Sequence, residues 1–224
     1  MKKYDVKHLF HVVAKLREDF EKDFDTILGG IIAICWLGCV RMLEGKKVNL
    51  RILEKEDIPT YAAWMTNQEF VGEFFLAPQL SVSDIEKRLS EPSPDSALFI
   101  IESKDATKSG WITYFQSKFG GYATSTEIGY MVTPEGRGKG YCTEAIAIIL
   151  DYLYLLQEID RIQALIAEEN VASKRALEKN GFKKEGVLRR LFYSLGKWWD
   201  TSVYSILREE WGSPKILKNK LWKE

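Results

Sequence analysis

The stretch Glu127-Ile-Gly-Tyr-Met-Val-Thr-Pro-Glu-Gly-Arg-Gly-Lys-Gly-Tyr-Cys-Thr-Glu-Ala145 constrains the fold more than any other part of the chain. Ile128 to Val132 reads as a strand that stops at Thr133-Pro134. From Thr143, the apolar positions Ala145, Ile146, Ile149, Leu150, Leu153 and Leu156 recur at helical spacing for about four turns, as a core-facing helix requires. Between strand and helix lie Gly136, Gly138 and Gly140. Alternate glycines let the backbone approach a ligand and turn successive N–H groups to one side, while a helix start adds unpaired donors and partial positive charge. The stretch is therefore an anion seat. It is not a P-loop, because Lys139 is followed by Gly140 rather than Ser or Thr, and the dinucleotide fingerprint fails because its third position is Thr143. Standing alone, such a loop reads equally well as a turn with no ligand.

It stands in a series of ordered motifs. Arg137-Gly-Lys-Gly-Tyr-Cys-Thr-Glu-Ala145 after a Glu-Ile-Gly-Tyr strand resembles the acyl-CoA-binding motif of the GNAT N-acetyltransferase superfamily, in particular its ribosomal-protein-alanine-acetyltransferase-like branch. Asn170-Val-Ala-Ser173, Leu177-Glu-Lys-Asn-Gly-Phe182 and Glu185-Gly-Val-Leu188 are similar to that branch's next helix and strand, and Trp199 to Trp211 to its last strand. The match runs from about Gly45 to Trp211. It implies an α/β (α+β) fold: a mixed, mostly antiparallel central sheet of about six or seven strands flanked by helices. One departure is Glu135, where the family's loop often begins with Gln or Arg; because the loop holds phosphate largely through backbone, this bears on affinity.

The rest of the chain is consistent with one catalytic-sized domain. Its 224 residues are 46% hydrophobic, ample for a core, and Lys plus Arg equal Asp plus Glu at 32 each, so no basic field marks a nucleic acid or an anionic membrane. Three cysteines make no disulfide framework and suit a reducing cytoplasm. Residues 1–41 read as a helical extension outside the domain at 42–224, because no motif residue lies upstream of Met42, which could itself start translation; the extension is expected to be dispensable for catalysis and not necessarily native. Leu9, Val12, Val13, Leu16 and Phe20 make an amphipathic stripe, and the apolar run Ile27 to Val40 is short for a membrane span. Cys35 with Cys39 and His8 with His11 share helix faces, but with no further ligands they read as buried thiols and surface imidazoles.

Leu43 to Leu53 reads as the first strand, followed by a helix from Ile58-Pro59 to about Thr66 and a second marked by Ser83-Asp84 and Glu91-Pro92. Trp64, Phe70, Phe74 and Phe75 lie around this helical hairpin, where the resemblance puts the acceptor entrance; core packing is the alternative. Ala97–Ser103 and Gly110–Gln116 read as a hairpin, Ser117 to Thr124 as a loop, Arg161–Ala167 as a strand entering a helix near Asn170, and Val187–Phe192 and Trp199–Leu207 as two last strands.

An amine that attacks a thioester needs a base, a seat for the oxyanion and a proton for the thiolate. Glu127, opening the strand that leads to the loop, is the candidate base, direct or through water, and could also be a salt-bridged strand residue. The resemblance implies that backbone N–H groups near Met131 and Val132 face the thioester carbonyl and that the pyrophosphate sits on Arg137, Gly138, Lys139, Gly140 and Tyr141. Asn170 is a pantetheine contact, a helix N-cap, or both. Ser173 sits where the resembled branch places a hydroxyl near the CoA sulfur, or is an ordinary first-turn serine. Many GNAT enzymes carry a general-acid Tyr where this chain has Leu177, so the proton must come from Ser173, another Tyr such as Tyr141, or solvent. Asp200 matches a polar position of the last strand, either on the acceptor side or as a turn carboxylate, and Cys142 reads as packing at the helix start. With no Cys or Ser set beside a His and an acid, the expected reaction is direct transfer from acetyl-CoA to a primary amine, a protein N-terminus or a small molecule, in a ternary complex. The competing class is a non-catalytic acyl-CoA-binding regulatory module. Neither metal, nucleic acid nor membrane is expected, and the chain would act as a monomer or homodimer.

Overall fold

The computed structural model describes residues 42–75, 81–89, 93, 95–119 and 123–217. Contacts divide the chain between Arg41 and Met42. The helical reading of residues 1–41, with its Cys35/Cys39 and His8/His11 pairs, lies outside the described residues. In chain order the described elements are β1 (Met42–Glu44), β2 (Val48–Ile52), α1 (Ile58–Thr66) behind a 3-10 turn at Lys55–Asp57, α2 (Gln68–Val71), α3 (Val82–Leu89), β3 (Ser96–Ser103), β4 (Lys108–Phe119), β5 (Ala123–Val132), α4 (Tyr141–Leu156), β6 (Arg161–Ala167), α5 (Val171–Lys179), β7 (Lys183–Ser194), β8 (Lys197–Leu207) and α6 (Arg208–Trp211). The strands form one sheet in the order β1-β2-β3-β4-β5-β6-β8-β7, antiparallel throughout except between β5 and β6.

The sheet has eight strands rather than six or seven because the expected first strand, Leu43 to Leu53, breaks at Gly45 into the β1–β2 hairpin. The cause lies far downstream, at the start of α4. The Glu144 carboxylate accepts the backbone N–H groups of Lys46 (3.0 Å), Lys47 (2.5 Å) and Val48 (2.8 Å), satisfying donors that a continuous strand would have had to pair elsewhere. Glu144 also stands in the first turn of α4, where a carboxylate complements the helix dipole. The expected loop from Ser117 to Thr124 is shorter than read, since β4 and β5 stay paired from Gly110↔Val132 to Phe119↔Ala123. At the far edge, β7 and β8 meet in a two-residue turn in which Leu195 and Gly196 both take positive φ, the geometry that matches strand twist.

Helix α4 is the centre of the core. Ala145 through Tyr154 are buried without interruption, so the helix is covered on all sides, unlike a surface helix with a single apolar stripe. Asp151 is inside this run and fully buried. Its carboxylate accepts the backbone N–H groups of Lys215 (2.9 Å), Ile216 (2.6 Å) and Leu217 (3.0 Å) and the Trp211 indole N–H (3.0 Å), which binds the segment after α6 across the helix. On the α1–α2 side, Met65, Phe70, Val71 and Trp111 form a second cluster against which Trp64, Phe75 and Met131 pack.

Candidate active site

β5 and β6 pair only at Thr126↔Ile162 and Glu127↔Gln163. Beyond that point β5 stays with β4 and β6 stays with β8, so the two central strands part into a cleft. A cavity of about 950 Å³ occupies it. That is at the upper end for one ligand site and leaves room for two substrates. One set of walls comes from Gly136 to Gly138, Gly140 to Thr143, Asn170 and α5, and the other from Phe70 to Phe75, Trp111, Leu191, Phe192 and Thr201.

The glycine loop has the form of an anion cradle. Gly138 (φ 72°) and Gly140 (φ 81°) are left-handed, and a Cβ built at Gly138 would meet no atom within 4 Å, so that side of the loop is open. Gly140 is the N-cap of α4 without a side-chain cap, and the first N–H to bond backward is that of Glu144, to the Gly140 carbonyl (3.1 Å). The N–H groups of the first turn are thus left to face outward. This donor set suits a diphosphate. Gly138, Gly140, Tyr141 and Arg137 all line the cavity, and Lys139 does not; its ammonium stands 5.8 Å from the Tyr141 ring centroid. The Arg137 side chain is engaged elsewhere: its Nη2 donates to the carbonyls of Glu69 (3.1 Å) and Phe70 (2.9 Å) at the end of α2. A cation that the sequence did not single out, Lys47, donates from Nζ to the Lys139 carbonyl (2.9 Å).

Strand alternation separates Met131 from Val132. The Thr133 N–H donates to Ser109 on the β4 side (2.8 Å), and the Met131 carbonyl lies against Gly110 of β4, where an added Cβ would be 2.1 Å away. Successive residues point their backbone groups to opposite sides, so the N–H of Met131 is turned to β4, and those of Val132 and Tyr130 face the cleft. The Met131 side chain packs on Trp111.

Ser173 and Asn170 both line the cavity. Asn170 Oδ1 accepts the Ser173 N–H (3.1 Å), an N-cap bond that leaves the Asn170 amide nitrogen uncommitted. Ser173 Oγ is 2.7 Å from the Tyr130 hydroxyl. Burial pushes the Tyr130 phenol well above its ordinary value, the neighbouring Cys142 thiol adds to this, and the bond to Ser173 works against it, so Tyr130 keeps its proton. Sequence reasoning missed Tyr130, which reads there as one apolar strand residue among others. Leu177 is fully buried in the core and does not line the cavity.

Glu127 sits at the last paired position of β5 and β6, half-buried and outside the cavity lining, with Gln163 Nε2 donating to its Oε2 (3.2 Å). Burial raises its pKa above the usual carboxylate value, against the opposing effect of that hydrogen bond. It shares a strand face with Gly129 and Met131, the face that meets Trp111. Asp200 is a structural carboxylate: it accepts the N–H of Arg190 (2.8 Å), a residue at φ 50°, and so fixes the irregular stretch of β7. Burial pushes the Cys142 thiol up to about 12. Phe70, Phe74 and Phe75 line the cavity, whereas Trp64 stacks on Phe70 at 5.1 Å and does not. Among the described residues no cluster of His, Cys, Asp and Glu could hold a metal, and no helix is long and apolar enough to cross a membrane.

Comparison with known proteins agrees with this geometry. The model of the acetyltransferase (GNAT) domain matches residues 47–183, more than half of the chain. The N-acetyltransferase YoaA of Bacillus subtilis is 30% identical over 175 residues, covering 75% of this chain and 97% of the relative. Among solved structures, the spermidine N-acetyltransferase of Vibrio cholerae in complex with CoA and spermine superposes with a TM-score of 0.67 at 23% identity, covering 75% of this chain and 99% of that one. Mycobacterium smegmatis RimJ in complex with CoA-disulfide gives a TM-score of 0.64 at 25% identity, over 81% and 90% of the two chains. The cosubstrate of such enzymes is acetyl-CoA, and the cradle described above fits it. The chain belongs to the GNAT acetyltransferase family.

Proposed function

We propose that this acetyltransferase transfers the acetyl group directly to a primary amine held between β5 and the aromatic wall, without an acyl-enzyme. The observation that carries the reading is the parting of β5 and β6, which opens one continuous cavity from the glycine loop to Phe70–Phe75. When bound, acetyl-CoA supplies an activated thioester. The cleft-facing N–H groups of Val132 and Tyr130 are the donors for the oxyanion, fixed in place before the reaction and so requiring no reorganisation. Glu127, whose raised pKa makes it a better proton acceptor than an exposed carboxylate, takes the proton of the amine through water, since it stands outside the cavity lining. Ser173 Oγ–H serves the sulfur side, and Tyr130 holds the Ser173 oxygen as a donor that does not ionise. The loop N–H groups and the start of α4 hold the diphosphate, and the Asn170 amide is free for the pantetheine arm. A direct reaction is supported by Cys142, whose high thiol pKa makes it a poor nucleophile. One structural neighbour is a spermidine N-acetyltransferase, and the acceptor of this chain is a primary amine, on a small molecule or at a protein N-terminus. Three cysteines that make no disulfide framework suit a cytoplasmic site of action.

The test measures thiol release from acetyl-CoA with a panel of amines, together with intact mass after incubation with acetyl-CoA alone, which should show no acetyl adduct. Gly138→Val should weaken acetyl-CoA binding by about tenfold or more in calorimetry, because its side chain would fill the open side of the cradle at a left-handed φ. Parent-like affinity in a folded variant would show the seat to be elsewhere.

A further inference from the structure

Among the described residues, the acceptor walls of the cavity carry almost no negative charge. Phe70, Phe74, Phe75, Trp111, Leu191 and Phe192 make up their apolar part. Glu73 is the one carboxylate among the described lining residues, and it makes no ion pair with another described residue. The other charged lining groups, Arg137, Arg175 and Lys179, are cations. Aromatic faces can also receive a cation, but this capacity is partly used already. The Lys197 ammonium sits 3.8 Å above Trp199, whose ring carries the edge of Phe74 at 5.1 Å and the face of Phe192 at 6.3 Å. The hydrogen-bonding capacity left over is neutral: Trp111 Nε1 and Thr201 Oγ1 are buried without a partner, and both residues line the cavity.

Resting on the transferase reading above, we propose that the acceptor is a singly charged primary amine carried on an apolar group, aromatic or branched aliphatic, and that polyamines and aminoglycosides are rejected. A first ammonium meets Glu73, the one carboxylate among the described lining residues. Every further ammonium of a polycation would lose its water against aromatic walls that, among the described residues, hold no further carboxylate to replace it, a strongly unfavourable burial. An apolar carrier gains by the same walls. The orphaned indole N–H and threonine hydroxyl add a preference for a neutral acceptor oxygen near the amine, such as an amide carbonyl.

The experiment compares kcat/KM, by thiol release at saturating acetyl-CoA, for 2-phenylethylamine, a peptide amide with an N-terminal phenylalanine, spermidine and an aminoglycoside. Either apolar amine should exceed spermidine by about 100-fold, and which of the two is better distinguishes a small-molecule source from a peptide one. A preference for spermidine or the aminoglycoside overturns the proposal. If acetyl-CoA binds in calorimetry but no amine releases thiol, the transferase reading fails. The acceptor class is then decided by tryptophan fluorescence of the protein–CoA complex, in which saturable quenching by 2-phenylethylamine and none by spermidine upholds it and the reverse overturns it. Glu73→Gln should raise KM for 2-phenylethylamine about tenfold with kcat little changed; an unchanged KM overturns the role of Glu73.

Discussion

Replacing Tyr130 by phenylalanine removes one oxygen and leaves the ring, so it isolates the 2.7 Å contact with Ser173. In the parent, burial holds the phenol's pKa well above the ordinary value near 10, so it keeps its proton and can donate to Ser173 Oγ, which in the proposed mechanism leaves the Ser173 hydroxyl hydrogen for the sulfur side of the cavity. Without it, Ser173 becomes a free rotor with one unmet bond in an enclosed site. Losing a hydrogen bond of this kind costs about 1 to 2 kcal/mol, which corresponds to roughly 5- to 30-fold in rate if the bond matters only in the transition state. The assay is steady-state thiol release with acetyl-CoA and the best amine of the panel, alongside thermal melting to confirm the fold. We expect kcat to fall by that factor and KM for acetyl-CoA to stay within about twofold. Ser173→Ala should lose at least as much, and the double variant should be no slower than Ser173→Ala, since Tyr130 acts through the serine. The alkaline side of the parent's pH profile should show no loss attributable to the phenol below about pH 10. A Tyr130→Phe variant with parental kcat, or a double variant whose loss is the product of the two singles, would refute the reasoning.

Glu127→Gln should lower kcat by about 100-fold and abolish the acidic limb of the pH–rate profile, because a base with a raised pKa becomes active only as pH rises through that value; a profile unchanged from the parent retires Glu127. Asp57, buried between Arg51 (2.7 Å) and Lys108 (2.7 Å), has its carboxyl held far below the usual range by these partners against the cost of burial. Its stabilisation is therefore complete above the unfolded value near 4 and is lost only as pH falls through the lower folded one. Asp57→Asn should cost about 3 kcal/mol at neutral pH in urea unfolding, with the deficit vanishing in strong acid; equal stability at pH 7 would show the pair to be inert. Arg137→Ala should raise both the acetyl-CoA Kd and the amine KM about tenfold, since two hydrogen bonds from a guanidinium are removed; an effect on acetyl-CoA alone would show that α2 does not depend on it.

The anion cradle was legible because its signal is local: glycines at alternate positions between a strand and an apolar helical repeat leave few backbone solutions. The same holds for the N-cap at Asn170, where residue type and position coincide with the observed bond. What could not be read depends on distant packing. Tyr130 and Ser173 are 43 residues apart and meet only because α5 lines the cavity into which β5 and β6 part. The division between Met131 and Val132 follows from which neighbour each backbone edge faces, a matter of register with β4 rather than of composition. The break of the first strand at Gly45 has its cause in Glu144, and an acidic residue at a helix start reads from sequence only as a dipole partner. Asp151 did leave a trace, a carboxylate in the middle of an otherwise apolar helical face, but its partners Lys215 to Leu217 open the lysine-rich stretch Lys215 to Glu224, whose composition reads as a basic, frayed tail rather than as a partner for a buried carboxylate.

Arg137 shows why the two halves of the cavity are not independent. The glycine loop is held from one flank by the β1–β2 turn, which Glu144 clamps and from which Lys47 reaches the Lys139 carbonyl, and from the other by Arg137 on the carbonyls of Glu69 and Phe70. A loop fixed on both flanks is ordered before any ligand arrives, so anion binding there is not offset by the entropy of ordering it. The second flank is also the end of α2, and directly after it come Phe74 and Phe75 of the acceptor wall. These carbonyls are among the last of a four-residue helix, which has little stability of its own and depends on such outside donors. The guanidinium beside the glycine loop is therefore one of the groups that hold the aromatic wall in position, and any displacement of the loop is transmitted to the wall at which we propose the amine sits.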